Sequence, residues 1–287
     1  MSSCSDKNIQ AELIALYTKL AEQPNSELGW NKGKANARQL GYSDTWLERL
    51  PDVVWESAAA VGNPFKLCEI SPGQTVLDVG CGAGADACVA ALHVGNTGKV
   101  IGVDCTPAMI DKARSNARHA ALDNIEFYKA DIANLPIADN SVDVVISNGA
   151  INLSENKDKV FQELYRVLNP GGHLQIADMV RESEGCCSEL DTGSWADCVQ
   201  GTLLPDKLLK IITNAGFSDA VLVELTGYKT SKSTNGALVR TSRPLIRTPI
   251  DFSRGGESRP ADLRHLTATK IFCSNHHDNH RQELTVV

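Results

Sequence analysis

Ten residues, Thr75-Val76-Leu77-Asp78-Val79-Gly80-Cys81-Gly82-Ala83-Gly84, restrict the fold more than any other stretch of the chain. An apolar run meets an acid, and glycines then alternate before a helix-like segment from Ala85 to Leu92. A short run of this kind suits a strand buried on both faces of a parallel sheet. The glycines let the backbone turn sharply and lie close to a ligand. The helix N-terminus beyond them offers unpaired N–H groups to a carboxylate or phosphate.

The segments that follow repeat the alternation. Lys99 to Val103 reads as a strand ending in Asp104, with Thr106 as N-cap and Pro107 opening a helix whose inner face carries Met109, Ile110 and Ala113. Asn124 to Tyr128 is a third strand, followed by Asp131, and Val142 to Ile146 a fourth, ending at Ser147-Asn148. Val160, Phe161, Leu164, Val167 and Leu168 mark an amphipathic helix stopped by Pro170-Gly171-Gly172. His173 to Ala177 is a fifth strand, ending in Asp178. Pro205 opens a helix that Gly216 stops, and Ala220–Leu225 and Ala237–Arg240 close the sheet. Such alternation predicts a doubly wound, mostly parallel α/β sheet with helices on both faces.

Ahead of this lies helical spacing from Gln10 to Glu22, a polar loop from Gln23 to Gln39, and a short helical stretch at Ser57–Ala60. The expected organisation is a helical cap over residues 1–70, a sheet domain over 71–242 with a loop region at 180–204, and a disordered tail over 243–287. Cys273, His276, His277 and His280 in that tail read as inert, and no metal site is expected.

A formal net charge of -7 argues against nucleic-acid and membrane-surface partners, which favour a basic face. No apolar run approaches the roughly 20 residues of a membrane helix, and Met1–Lys7 lacks an apolar signal core. A cytoplasmic protein is expected. Nine cysteines without a secretion signal or a C-x-x-C pair exclude a disulfide framework and an ordinary zinc knuckle. They remain as small buried hydrophobes or, at two or three positions, as soft ligands.

Sites in open α/β sheets form outside the carboxyl ends of the strands. Asp78, Gly80, Gly82, Gly84, Asp104, Asp131, Asn148 and Asp178 all fall there. One such acid or amide commonly just caps the next helix; several in register point to a site. G-x-G-x-G is not the dinucleotide spacing G-x-G-x-x-G, and no G-K-[ST] follows it as in phosphate-cleaving enzymes. Together with Leu135-Pro136-Ile137, Asp143-Val144-Val145 and Leu168-Asn169-Pro170-Gly171-Gly172, the pattern from Pro72 to Asp178 resembles the Rossmann-like S-adenosylmethionine (AdoMet) methyltransferases. The resemblance implies AdoMet as cofactor, its methionine part on the glycine turn, its ribose on Asp104 and its adenine amino group near Asp131. Cys81, Cys105 and Met109 would pack against it, with Asn148 beside it.

A finer match covers about Leu16 to Arg240. Leu40-Gly41-Tyr42-Ser43, Gly62-Asn63-Pro64, Ser147-Asn148 with Ile151-Asn152-Leu153, Trp195 through Cys198-Val199-Gln200-Gly201, and Pro205 to Phe217 resemble the arsenite methyltransferases. In that family three thiolates hold trivalent arsenic, whose lone pair takes the AdoMet methyl group. Here two of the three positions are Val61 and Gly149, and Cys198 is retained; Cys186 and Cys187 are the candidate substitutes. The resemblance implies a metalloid substrate and a thiol reductant as partners. Two alternatives stand beside it: a small organic acceptor, for which Tyr17, Asp178 or His173 are candidate bases, and a binding protein that holds AdoMet or a metalloid without turnover. The sequence leaves the oligomeric state unknown.

Overall fold

The switch point of the sheet lies between β1 (Thr75–Val79) and β4 (Val142–Asn148), and it fixes where a ligand can sit. The strand order is β3-β2-β1-β4-β5-β7-β6, so the chain winds outward from β1 through β2 (Lys99–Asp104) and β3 (Ile125–Lys129), then restarts on the other side. The first five strands pair in parallel. At the far edge β7 (Thr234–Ser242) runs antiparallel to both β5 (Leu168–Arg181) and β6 (Ser218–Leu225). The computed structural model describes residues 4–27, 29–182 and 201–245, which belong to one compact unit.

Burial explains the central strands. Val76, Leu77 and Val79 of β1, and Val142, Val144, Val145 and Ile146 of β4, have no exposed surface. Such strands need apolar side chains on both faces, which the sequence supplies as continuous runs. Helix α5 (Ala85–Val94) packs on β1 and β2, α6 (Pro107–His119) on β2 and β3, and α7 (Lys157–Val167) with α8 (Pro205–Asn214) on the β4–β5–β6 side. Helices α1 (Cys4–Glu22), α2 (Gly33–Gln39), α3 (Asp44–Arg49) and α4 (Asp52–Trp55) precede the sheet. Leu47, Val54, Trp55 and Leu67 share one cluster with Val89, Ala177 and Leu238, so the expected boundary at residue 70 divides the sequence without dividing the core. None of the described helices is long and apolar enough to cross a membrane.

Four local expectations change. Gly33–Gln39, read as loop, is α2: Gly33 enters at φ +78°, and Asn36 and Ala37 are buried. Ser57–Ala60, read as helical, follows α4 outside any helix and faces the ligand cavity instead. Thr106 sits at the N-cap position of α6, but the turn's acceptor is Asp104, whose Oδ1 takes the Thr106 N–H at 2.8 Å. Pro170-Gly171-Gly172 does not close α7, which ends at Val167; it lies in an irregular start to β5 opposite Asp143, where Asn169 donates to Asp143 at 2.8 Å.

Candidate functional site

The glycine turn between β1 and α5 is folded back over β2, with Gly80 N–H and Cys81 N–H both donating to the Val103 carbonyl at 2.8 and 2.9 Å. Gly80 takes φ +70°, and a Cβ there would meet the Ala150 Cβ at 2.1 Å. Glycine is therefore required at this position by backbone and by space at once. Asp104, at the end of β2, ties the turn down: its Oδ2 accepts from Gly82 N–H at 3.0 Å while Oδ1 holds the next helix.

Above this turn opens a cavity of about 440 Å³. Its floor carries Asp78, Cys81, Asp86, Asp104 and Met109, and Asp131 lies at the next strand end along with Ile132 and Ala133. Leu13, Tyr17 and Leu20 of α1 and the segment Ser57–Ala60 form one side, and Asn148, Gly149 and Ala150 another. The C-terminus of α1 is held across the site by Ser57 Oγ on the Leu20 carbonyl (3.1 Å) and Lys112 Nζ on the Ala21 carbonyl (3.1 Å).

Three carboxylates crowd the floor. Asp78 is 2 % exposed, and its Oδ2 has no hydrogen-bond partner. Burial, then the neighbouring charges of Asp86 and Asp104, push its carboxyl well above the ordinary range. Asp86 is also raised by burial, but Asn148 and Tyr42 oppose that by hydrogen bonding to its charged form. Tyr42 Oη donates to Asp86 Oδ1 at 2.7 Å, and Asn148 Nδ2 donates to Asp86 Oδ2 at 2.9 Å. Asn148 also donates to the Gly62 carbonyl (2.9 Å) and accepts from Val61 N–H (2.9 Å). Asp104 is raised by burial, with the N–H groups of Thr106 and Gly82 pulling the other way.

The residues read from sequence as cofactor contacts (Asp78, Gly80, Cys81, Gly82, Asp104, Cys105, Met109, Asp131 and Asn148) line this one cavity. Gly84 serves it indirectly, as the left-handed N-cap of α5 at φ +81°. The amide of Asn148 is engaged by protein groups, so it braces the site. Asp131 spends Oδ1 on the Ala133 N–H at 2.8 Å. Burial raises the thiols of Cys81 and Cys105, which keeps them protonated and suits packing better than soft-ligand chemistry.

Two of the three candidate bases are elsewhere. Asp178 is not among the lining residues: it is 4 % exposed, raised by burial to about 6, and accepts from Asn152 Nδ2 at 2.7 Å and Met179 N–H at 2.8 Å. His173 pairs with Val144 near the amino end of β4, away from the site, and burial lowers its pKa. Tyr17 does line the cavity. Cys186, Cys187 and Cys198 lie outside the described residues, as do Cys273, His276, His277 and His280. Among the described residues no three His, Cys, Asp or Glu side chains group to hold a metal. The residues missed from sequence are Tyr42 and Asp86, which distant segments bring together. An acid in the first turn of α5 was the available signal for Asp86.

Val61 and Gly149 are neighbours. A Cβ on Gly149 would stand 3.5 Å from Val61 Cγ1. Side chains at these two positions therefore meet at the edge of the cavity, next to Asn148.

The profile of a family described as "Methyltransferase domain" matches residues 70–216. The chain belongs to this family. The arsenite methyltransferase of Halobacterium salinarum is 41% identical over 184 residues, covering 64% of this chain and 47% of that protein. The ubiquinone/menaquinone biosynthesis C-methyltransferase of Haemophilus ducreyi is 38% identical over 111 residues, or 38% of this chain and 42% of that protein. The chain thus spans about half the length of the curated relatives it matches. Among solved structures, the arsenic (III) S-adenosylmethionine methyltransferase of Chlamydomonas reinhardtii superposes with a TM-score of 0.54 at 27% identity, covering 75% of each chain. The family's Rossmann-like α/β sheet accounts for the strand order and for a site at the switch point.

Proposed function

We propose that this protein is an AdoMet-dependent methyltransferase whose acceptor is trivalent arsenic held by cysteine thiolates. The observation that supports the arsenic reading most is the 41% identity to an arsenite methyltransferase across 184 residues. The cavity fits the cofactor on its own evidence. AdoMet carries an ammonium and a sulfonium, and the floor offers clustered carboxylates with the unpartnered Asp78 Oδ2. Asp104 is fixed by two N–H donors and keeps lone pairs for ribose hydroxyls. Asp131 would take the adenine amino group, and Met109 and Ala133 supply apolar surface beside it.

AdoMet supplies a methyl group on positively charged sulfur, which leaves as a neutral thioether when an acceptor lone pair takes the methyl. The protein's part is to align donor and acceptor at near-attack distance and to exclude water. Helix α1 and Ser57–Ala60 cover the cavity for that purpose. An arsenic lone pair needs no general base, in keeping with Asp178 and His173 lying off the cavity. Cys198 would be the principal arsenic ligand, with Cys186 and Cys187 as further thiolates and a thiol reductant keeping them reduced.

A second reading is a small organic acceptor on the same scaffold. It is favoured by the absence of a thiol at Val61 and Gly149 and by the relation to a quinone C-methyltransferase. Incubation with arsenite, AdoMet and glutathione, followed by chromatography and mass spectrometry, separates the two. Methylated arsenic is expected, abolished by Cys198→Ser without loss of AdoMet binding. AdoMet uptake with no methylated arsenic would transfer the proposal to the organic acceptor. AdoMet uptake with no S-adenosylhomocysteine formed from any acceptor pool would mean a binding protein without turnover.

A further inference from the structure

The floor of the cavity contains an imbalance of charge that the cofactor's shape alone does not explain. Asp86 and Asp104 each accept from two donors: Tyr42 Oη and Asn148 Nδ2 for the first, Thr106 N–H and Gly82 N–H for the second. Asp78 has an Ala87 N–H on its carboxylate and nothing on Oδ2, although it is 98 % removed from solvent by its 2 % exposure. The lysine among the described lining residues, Lys159, is exposed at the rim.

We propose that Asp78 carries a proton while the cavity is empty and releases it when a cationic cofactor enters, so that cofactor uptake is coupled to proton release. Three ionised carboxylates in one desolvated floor repel one another strongly, and the one with an unsatisfied oxygen and the fewest donors takes the proton. The groups facing Asp78 are all acidic or neutral. They are Asp86 and Cys88 from α5, Asp104 from β2, Cys81 from the glycine turn and Tyr42 from the cap. Its strand neighbours are Gly102 of β2 and Ile146 of β4. No described cation offsets them, so an incoming ammonium or sulfonium is the group that lets Asp78 ionise. Tyr42 and Asn148 then act as positioning residues: by keeping Asp86 charged, they leave Asp78 as the proton carrier.

This inference rests on the AdoMet reading, and its test separates the two. Titration calorimetry of the full chain with AdoMet is run at one pH in phosphate and in Tris, whose heats of protonation differ widely. Different apparent heats, corresponding to close to one proton released per AdoMet, are expected. The dissociation constant should also fall about tenfold per pH unit on the acid side and level off at higher pH. S-Adenosylhomocysteine keeps the ammonium and lacks the sulfonium: release with both ligands assigns the ammonium as the displacing charge, and release with AdoMet alone assigns the sulfonium. Asp78→Asn, which copies the protonated side chain, should bind AdoMet without proton release. Infrared difference spectra of the unmodified protein give a check that needs no variant, as a protonated-carboxyl band should disappear on AdoMet binding. Equal heats in both buffers, an unchanged carboxyl band, or proton release persisting in Asp78→Asn would overturn the proposal while leaving the cofactor reading intact. No AdoMet binding under any condition would overturn both.

Discussion

The floor of the cavity and its β4-side wall are built on different terms. The floor comes from β1, the glycine turn, α5 and β2, and its fastening bond, Gly82 N–H to Asp104, joins residues 22 apart in sequence. The wall gathers Tyr42, Val61, Asn148 and Thr226, with bonds spanning 44 residues (Tyr42 to Asp86) and 165 residues (Thr226 to the Val61 carbonyl). One glycine from each also differs in the space around it. A Cβ at Gly80 in the floor would lie 2.1 Å from Ala150, whereas a Cβ at Gly149 in the wall meets nothing nearer than 3.5 Å. Gly80 is closed to a side chain by space as well as by backbone, and Gly149 by its positive φ alone.

The sharpest way to break this contrast is a pair of alanine substitutions. Gly80→Ala combines a positive φ with a clash against backbone-fixed Ala150 and should cost about 3 kcal/mol or more in urea unfolding, with loss of AdoMet binding. Gly149→Ala also carries a positive φ, +67°, but has ordinary contact distances and should cost about 1 kcal/mol. Equal losses at the two sites would mean the wall is as rigid as the floor.

Asp178 tests the support behind the wall, through Asn152 of the 3-10 turn after β4. Its folded pKa of about 6 lies above the ordinary 3.8, so the folded chain holds the proton more tightly than the unfolded chain. Stability from this group is present at pH below 3.8 and is lost as pH rises toward 6, by about 2–3 kcal/mol across the window. Denaturation midpoints measured from pH 4 to 7 should show that decline in the native chain. Asp178→Asn should show a shallower decline, because Asp78, Asp86 and Asp104, also raised by burial, still contribute to it, and the lost acceptor makes the variant less stable throughout. An unchanged slope in the variant would place the titrating group elsewhere.

The same contrast decides what could be read from sequence. The sheet and most of the floor were legible because each piece carries its own local signature: an apolar run, an acid at the strand end, and glycines. Asp104's place in the cavity could be read from its position at the end of β2 alone. The partnership of Tyr42 with Asp86 could not, because it depends on α2–α4 folding back on α5, and no local pattern encodes that docking. Asn148 was found by position, but its bonds to Asp86, Gly62 and Val61 could not be read, as a strand-end amide looks the same whether it faces a ligand or bridges two protein segments. Ser57–Ala60 shows the reverse error, since residues with helical propensity were held in a non-helical segment by tertiary contacts such as Ser57 Oγ on the Leu20 carbonyl.

Tyr42→Phe has a small expected effect and the finest resolution, since its hydroxyl is where floor and wall touch. The ring contacts with Trp46, Trp55 and Phe65 survive the substitution, and what is lost is the bond to a buried carboxylate at 2.7 Å and the one accepted from Asn148 at 3.0 Å. A loss of about 1–2 kcal/mol in folding stability is expected, read by urea denaturation. Asp86 then keeps only Asn148 as a side-chain donor, and Asn148 in turn loses a partner while still holding Val61 N–H. If floor and wall are one connected network, the AdoMet dissociation constant and the acceptor KM should both rise severalfold. A rise in the AdoMet constant alone would mean that Asn148 by itself keeps the wall in place. The two halves of the cavity would then be independent, and Tyr42 would belong to the floor only.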